Sequence, residues 1–362
     1  MDDERTGPVT GPVTGPVTSL VIPTVGRPSL RRLLEALAAG TAPVPGPVVV
    51  VDDRPSGDDL DADLAGIAIA DLRVLRSGGG GPARARNIGW RHTSTPWVSF
   101  LDDDVVTDPD WSATLVRDLA GLGSPVAGSQ GRVRVPLPGH RRPTDWERST
   151  AGLATATWIT ADLTYRRSAL SAVGGFDERF PRAFREDADL GLRITATQGR
   201  IVTGDRAITH PVRPADDWAS LRQQAGNADD FLMRRLHGPQ WRERVHAPGG
   251  RRGRHVATTL AALATIGMVV ARRPRAAAIA TALWLAGTGE LAWARIAPGP
   301  RDRAEVLRML RTSAAIPLAA SRHSARGWWQ HRTAEPWSPP PDLVLFDRDG
   351  TLVHDVPYNG DP

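Results

Sequence analysis

The 362-residue sequence predicts an α/β fold, a mostly parallel central sheet flanked by helices, continued by a C-terminal helical region that is partly hydrophobic. Three observations predict it. From Ser19 onward, short apolar, β-branched runs alternate with stretches of helical periodicity, the rhythm of strands buried on both faces by crossover helices. The leading runs end in Thr or Asp, and open α/β sheets bind their ligands at the carboxyl ends of strands. Residues 231–335 then carry 18 Arg against five acids, together with two uncharged Ala-rich stretches, so a different environment begins there.

The elements follow in order. Residues 7–18 repeat GPVT three times, and this Pro/Gly tract, unable to bury apolar surface, reads as a disordered leader over 1–18 without the apolar core of a signal peptide. Leu20–Ile22 is strand-like and stops at Pro23 and Thr24. Residues 28–39 set Leu30, Leu33, Leu34 and Leu37 on one helical face. Val48–Val51 is a strand ending in Asp52 and Asp53, residues 72–75 another, 82–92 a helix, and 97–101 a strand running into Asp102, Asp103 and Asp104. Asp108 as N-cap and Pro109 at the first helical position open a helix over residues 111–122. Residues 126–135 read as a strand pair, 158–164 as a strand, 167–173 as a short helix stopped by Gly174 and Gly175, 186–197 as a helix stopped at Gly199, and 217–236 as a longer amphipathic helix.

The units this implies are the leader, a catalytic domain over 19–236, an Arg/Ala-rich helical region over 237–335 and a linker with a further fragment over 336–362. Within the third unit, the uncharged stretches 256–271 and 276–289 fall short of the ~20 residues that cross a bilayer. Arg272, Arg273 and Arg275 separate them. A re-entrant or interfacial hairpin on an anionic, cytoplasmic membrane face is the expectation. Nucleic acid is not, because the basic stretch lacks interleaved aromatic stacking positions.

Composition narrows the chemistry. The chain has no Cys, which excludes disulfide scaffolds, Cys-ligated zinc or iron–sulfur centres and a thiol nucleophile. All 45 basic residues are Arg, so no Schiff-base or phosphate-loop Lys exists, and the Arg-only, Ala/Gly/Pro-rich composition fits a high-GC bacterial gene. The sharpest signal in the first half is a cluster of carboxylates. Asp102, Asp103 and Asp104, packed on a tight turn at a strand end, offer oxygen ligands to Mg²⁺ or Mn²⁺, ions that complete their shells with substrate phosphates and water.

The ordered series SLVIPTVGRPSLRRLLEAL, VVVVDDRP, GGGGPARARNIGWR, VSFLDDDVV, YRRSALSAVGGFDERF and REDADLGLR, over residues 19–213, resembles the family-2 glycosyltransferases of GT-A fold. The resemblance implies a nucleotide-sugar donor and a glycan, lipid-linked or small-molecule hydroxyl acceptor. It sets Pro23, Thr24, Asp52 and Asp53 at the nucleoside, the Gly78–Gly81 run against the ligand, and Arg86 and Asn87 beside the nucleotide. Asp102 and Asp104 match the ends of the DxD metal motif, with Asp103 between them on the donor side, and His210 matches an auxiliary metal ligand. Asp187 of the ED pair is implied as catalytic base, with Glu186 and Asp162 on the acceptor side. The absence of QxxRW around Arg222, Gln223 and Gln224 implies single-sugar transfer rather than polymerisation. Direct displacement with inversion follows from one base opposite one leaving group. The helix dipole at Asp187 favours its ionised form.

A second resemblance lies at the end of the chain. LVLFDRDGT resembles the first motif of haloacid-dehalogenase phosphatases, with Asp347 as nucleophile and Asp349 as acid/base. With only about twenty residues from the start of this motif to the last residue, and no Lys anywhere, a complete phosphatase core is not expected.

Overall fold

The computed structural model describes residues 17–57 and 60–339. Eight strands form one sheet: β1 (Thr18–Thr24), β2 (Val48–Asp52), β3 (Leu72–Arg76), β4 (Trp97–Leu101), β5 (Val106–Thr107), β6 (Val126–Arg134), β7 (Asp162–Arg166) and β8 (Arg200–Thr209). Their order is β3-β2-β1-β4-β7-β6-β8-β5. The first four strands pair in parallel, with Thr24 opposite Asp52 and Val21 opposite Phe100. The order reverses about β1, since the chain leaves toward β2 and β3 on one side and returns to β4 on the other. That reversal opens a crevice at the carboxyl ends of β1, β2 and β4. β7 runs antiparallel between β4 and β6, and β6 and β8 are parallel.

Alternation along the buried strands splits the core into two layers. Leu20 and Ile22 of β1 and Val48 and Val50 of β2 meet Leu30, Leu33, Leu34 and Leu37 of the helix Pro28–Ala38, with Trp111, Leu115 and Leu119 beyond. Val21, Val49 and Val51 face the opposite side and meet Ala83, Ala85 and Trp90 of the helix Pro82–Arg91, with Phe100, Leu163, Tyr165 and Leu170. This helix lies close to the sheet because Gly89 has no side chain: a Cβ there would sit 2.3 Å from Val21 Cγ1.

Several expectations shift. Thr18, the last residue of the third GPVT repeat, belongs to β1 and bonds Ser99 across 3.2 Å, so the leader's boundary moves forward. Residues 126–134 make one strand with two register shifts rather than a pair. β7 begins only at Asp162, after Trp158 takes a left-handed backbone (φ 60°). Asp108 pairs with Arg134 and Asp110 takes the N-cap position, so the next helix starts at Trp111 as expected but ends at Leu119, before left-handed Gly121. The predicted helix 217–236 breaks into Ala219–Arg222, a 3-10 turn Gln223–Asn227 and Asp229–His237. The break lets the ring of Phe184 come so close to Gly226 that a Cβ would lie 2.6 Å from it.

The boundary at 236/237 falls inside a helix. Phe180, Ala188, Leu192, Leu232 and Leu236 on one side share an apolar cluster with Trp241, Val245 and the partly buried Trp337 on the other. Beyond it stand three long helices, Arg252–Val270, Pro274–Ile296 and Arg303–His331. The third packs on the base of the first two, through Thr259 on Ser321 and Arg295 on Thr312 and Ser313. The outer parts of the first two are left as an antiparallel hairpin with Leu263, Ile266, Val269, Val270, Ile279 and Leu283 exposed. Asp347 and Asp349 lie outside the described residues.

Candidate active site

The crevice at the sheet's reversal is a cleft of about 500 Å³. Its floor is the ends of β1, β2 and β4, which deliver Pro23, Thr24, Asp53 and Asp102–Asp104. Its second wall is the segment 146–153, and its rim holds Phe184, His210, Arg213 and Gln223.

The three aspartates after β4 diverge. Asp103 turns inward, accepting from Thr24 Oγ1 at 2.6 Å and from Arg27 at 2.7 Å, and so ties the end of β1 to the turn. Asp102 accepts from Arg86 at 2.9 Å. Asp104 lies 3.5 Å from His210 Nε2 and 2.9 Å from Arg213 Nε. One ligand atom each from Asp102, Asp104 and His210 falls within 4.8 Å of the others. Burial, then the charge of Asp102, pushes the Asp104 carboxyl above its ordinary range. Two carboxylates crowded in a buried place, with an imidazole beside them, are a donor set that suits Mg²⁺ or Mn²⁺.

Arg86 is the hub beneath. Its guanidinium, almost fully buried, sits between Asp102 and Glu186, 2.8 Å from the latter, and over the ring of Phe176. One cation thus faces two acids, and Glu186 Oε2 has no partner among the described residues. Desolvation and neighbouring Asp187 push the Glu186 carboxyl up to about 8. Glu186 therefore lies behind the cleft wall, and the acceptor position the sequence suggested for it is replaced by one supporting Arg86.

Asp187 is half-buried in the first turn of the helix Glu186–Thr197 and is not among the cleft-lining residues. Its only hydrogen bond among the described residues comes from the Ala188 N–H at 2.7 Å, so it is the member of the pair not committed to an arginine. Burial raises its pKa despite the helix dipole, which reverses the expected balance. The turn that presents it is strained. Arg185 holds a left-handed backbone (φ 79°), kept there by its guanidinium lying over Phe184 and Trp241 and bonding Asp230 at 3.0 Å.

Three further residues stand apart from the cleft. Asp162 is fully buried, receiving Arg206 Nε at 2.8 Å and Trp111 Nε1 at 2.7 Å, so it is an internal counter-charge and not an acceptor contact. Asn87 turns away from the cleft, bonding Phe176 and Glu178 and accepting from Trp90, and so pins its helix to the turn after Gly175. Asp52 is claimed by Arg54 through both oxygens, and that contact holds its carboxyl below the usual range although burial works the other way. Its neighbour Asp53 does line the cleft. Ser77 Oγ and the Gly81 N–H donate to its two oxygens at 2.6 and 2.9 Å, so the glycine run wraps an acid before it meets any ligand.

The second wall went unread in the sequence. Trp146, Ser149 and Thr150 sit on the helix Asp145–Ala151, which opens with a capping box between Thr144 and Glu147. TDWE carries that signature, a Thr followed three residues later by Glu, and it marks the helix start. Nothing comparable marks Arg27 or Arg213.

Comparison with known proteins agrees with this architecture. Residues 19–174 match the model of glycosyl transferase family 2. The pre-mycofactocin glycosyltransferases of two Mycobacterium tuberculosis strains, CDC 1551 / Oshkosh and ATCC 25618 / H37Rv, are each 31% identical over 198 residues, 51% of this chain and 40% of theirs. The chain thus spans well under half the length of these relatives. A mannosyltransferase, PcManGT from Pyrobaculum calidifontis, solved with GDP-Man and Mn²⁺, superposes with a TM-score of 0.53 at 17% identity, covering 88% of this chain and 89% of that one. At that identity the likeness concerns the fold. Residues 19–174 thus match the glycosyl transferase family 2 model, and the fold that holds them is a GT-A-like α/β sheet with a helical region after it.

Proposed function

We propose that the protein is an inverting, metal-dependent glycosyltransferase that moves one sugar from a nucleotide-sugar to a hydroxyl acceptor at a membrane surface. The observation that carries this reading is the donor set of Asp102, Asp104 and His210 at the sheet's reversal, beside Thr24 and Asp53. Those three side chains would hold Mg²⁺ or Mn²⁺, which supplies Lewis-acid neutralisation of the leaving diphosphate. Thr24 and Asp53 border the nucleoside, and Arg86 keeps Asp102 aimed at the cleft. Asp187, three residues beyond the rim residue Phe184 and not itself lining the cleft, would take the proton of the attacking hydroxyl; its raised pKa brings a carboxylate closer to the strength a general base needs. The bond from the sugar's anomeric carbon to the diphosphate breaks as the bond to the acceptor oxygen forms on the opposite face. The nucleoside diphosphate leaves with the electron pair.

The membrane part of the reading is supported by the hairpin. Its arms are 19 and 23 residues long, about 28 and 34 Å at 1.5 Å per residue. They exceed the uncharged stretches from which shallow insertion was expected, and the first is long and apolar enough to cross a membrane. Arg251, Arg252 and Arg254 stand at its base and Arg272, Arg273 and Arg275 at its tip, so an embedded hairpin keeps both clusters near headgroups. A role in bacterial envelope or glycan synthesis suits such a placement.

The test is nucleoside diphosphate release from UDP-, GDP-, dTDP- and ADP-sugars with Mn²⁺, Mg²⁺ or chelator. One donor should turn over only with metal, and Asp104→Ala should lower its kcat/KM by about 100-fold or more. Turnover of a donor by Asp104→Ala at the native rate sinks the metal assignment.

A further inference from the structure

We propose that a second groove, between the cleft and the base of the hairpin, is the acceptor site, built for an amphiphile that carries an apolar tail, a phosphate and a hydroxyl-bearing headgroup in that order. This rests on the glycosyl-transfer reading and names its acceptor class.

The groove, about 370 Å³, shares Ser149 and Gln223 with the cleft, so the two cavities meet there. From that junction it runs to Arg251 and His255 at the start of the helix Arg252–Val270. His255 is only 8% exposed, lines the groove and has no hydrogen-bond partner among the described residues. No group among the described residues takes its ring nitrogens, which are left to bond whatever enters the groove. The helix it opens has no side-chain cap, so its first N–H groups and its dipole favour an anion at the same end. Arg251 Nε is buried and unpaired there as well. Arg148 and Arg295 both lean on the single acid Asp145, and Arg251 on Glu290, so three guanidiniums stand against two carboxylates.

An anion is therefore the group this groove can hold, and the hairpin says where the anion comes from. The exposed apolar arms leave from the same base, so with the arms in a bilayer the groove opens at headgroup depth and the cleft lies beyond it. A phosphate seated by His255 and Arg251 leaves the tail with the lipid and extends the headgroup past Ser149 toward the cleft. There its hydroxyl oxygen attacks the sugar, its proton goes to Asp187, and the nucleoside diphosphate departs. The phosphate itself is not altered.

Two sources share this chemistry, a glycerophospholipid with a polyol headgroup and a polyisoprenyl-phosphate-linked sugar. Full-length protein in vesicles would be assayed with each, and with phosphate-free analogues of the same tail and headgroup. His255→Ala should raise KM for the phosphorylated acceptor about tenfold, equivalent to about 1.4 kcal/mol, and should leave the analogue's KM where it was. His255→Asn, which keeps a hydrogen-bond donor, should recover part of the loss. Wild-type enzyme that treats phosphorylated and phosphate-free acceptors alike, or a variant that weakens both equally, overturns the proposal. If no nucleotide-sugar turns over at all, the transfer reading fails. Native mass spectrometry of the full chain with the same lipids then still decides the groove, because equal retention by wild type and His255→Ala would refute it.

Discussion

At the residue scale the molecule separates charges that face the cleft from charges that serve the fold, and the separation is visible only in three dimensions. Asp53, Asp102, Asp104 and His210 look alike in sequence and converge on one cleft. Asp52, Asp162 and Asn87 look just as suitable and do not, because a neighbouring Arg, Trp or main-chain group has already used them. Side-chain type and strand-end position were legible in the sequence; the identity of the partner was not, since Arg206 reaches Asp162 from 44 residues away. Asp162→Ala leaves Arg206 half-paired in a fully buried place and should cost about 3 kcal/mol of stability, read as a lower urea midpoint. Glu186 makes a pH prediction. Its carboxyl rises from 4.5 to about 8 on folding, so its protonated form contributes stability in full below pH 4.5, and that contribution is lost as pH climbs through 8. Gln at this position cannot ionise. The melting temperature of Glu186→Gln relative to wild type should therefore climb between pH 5 and 9, and parallel curves would show that Glu186 ionises as freely as in water.

At the scale of elements, the strands β1 to β4 and the helices Pro28–Ala38 and Pro82–Arg91 were readable because each carries its own period and its own stop, whereas the short helix Leu60–Asp63 and the two-residue β5 carry neither. β-Branched runs buried on both faces, Pro at helix starts and Asp at strand ends agree with one another there. The helix 217–236 was misread for a definite reason. Its amphipathic pattern is real, but Phe184 needs the space beside Gly226, and this tertiary demand breaks the helix where local propensity is weak. The cleft's second wall is held by a smaller device. Glu147 accepts from Arg141 and from Thr144, and these bonds pull its carboxyl down to about 2. The stability it adds is present above pH 4.5 and disappears as pH falls toward 2. Glu147→Ala should cost about 1 kcal/mol and loosen Trp146 and Ser149 on the wall, so the donor KM should rise more than kcat falls.

At the scale of the whole molecule, a slightly acidic half that carries the cleft and a basic helical half share one apolar cluster, and Asp145 and Arg148 of the cleft-wall helix hold Arg295 of the hairpin. The charge asymmetry announced two environments, yet no composition rule could show that Trp337 returns to pack beside Leu236. The chain's missing residue types bring a last consequence. With neither Cys nor Lys in 362 residues, thiol reagents find no side chain to modify and amine reagents find only the N-terminus. A single Val270→Cys, at a position 77% exposed near the hairpin's tip, would be the sole thiol in the protein. A polarity-sensitive dye on it should shift to the blue with anionic vesicles and stay unchanged in buffer. An unchanged spectrum on vesicles would deny the hairpin its bilayer.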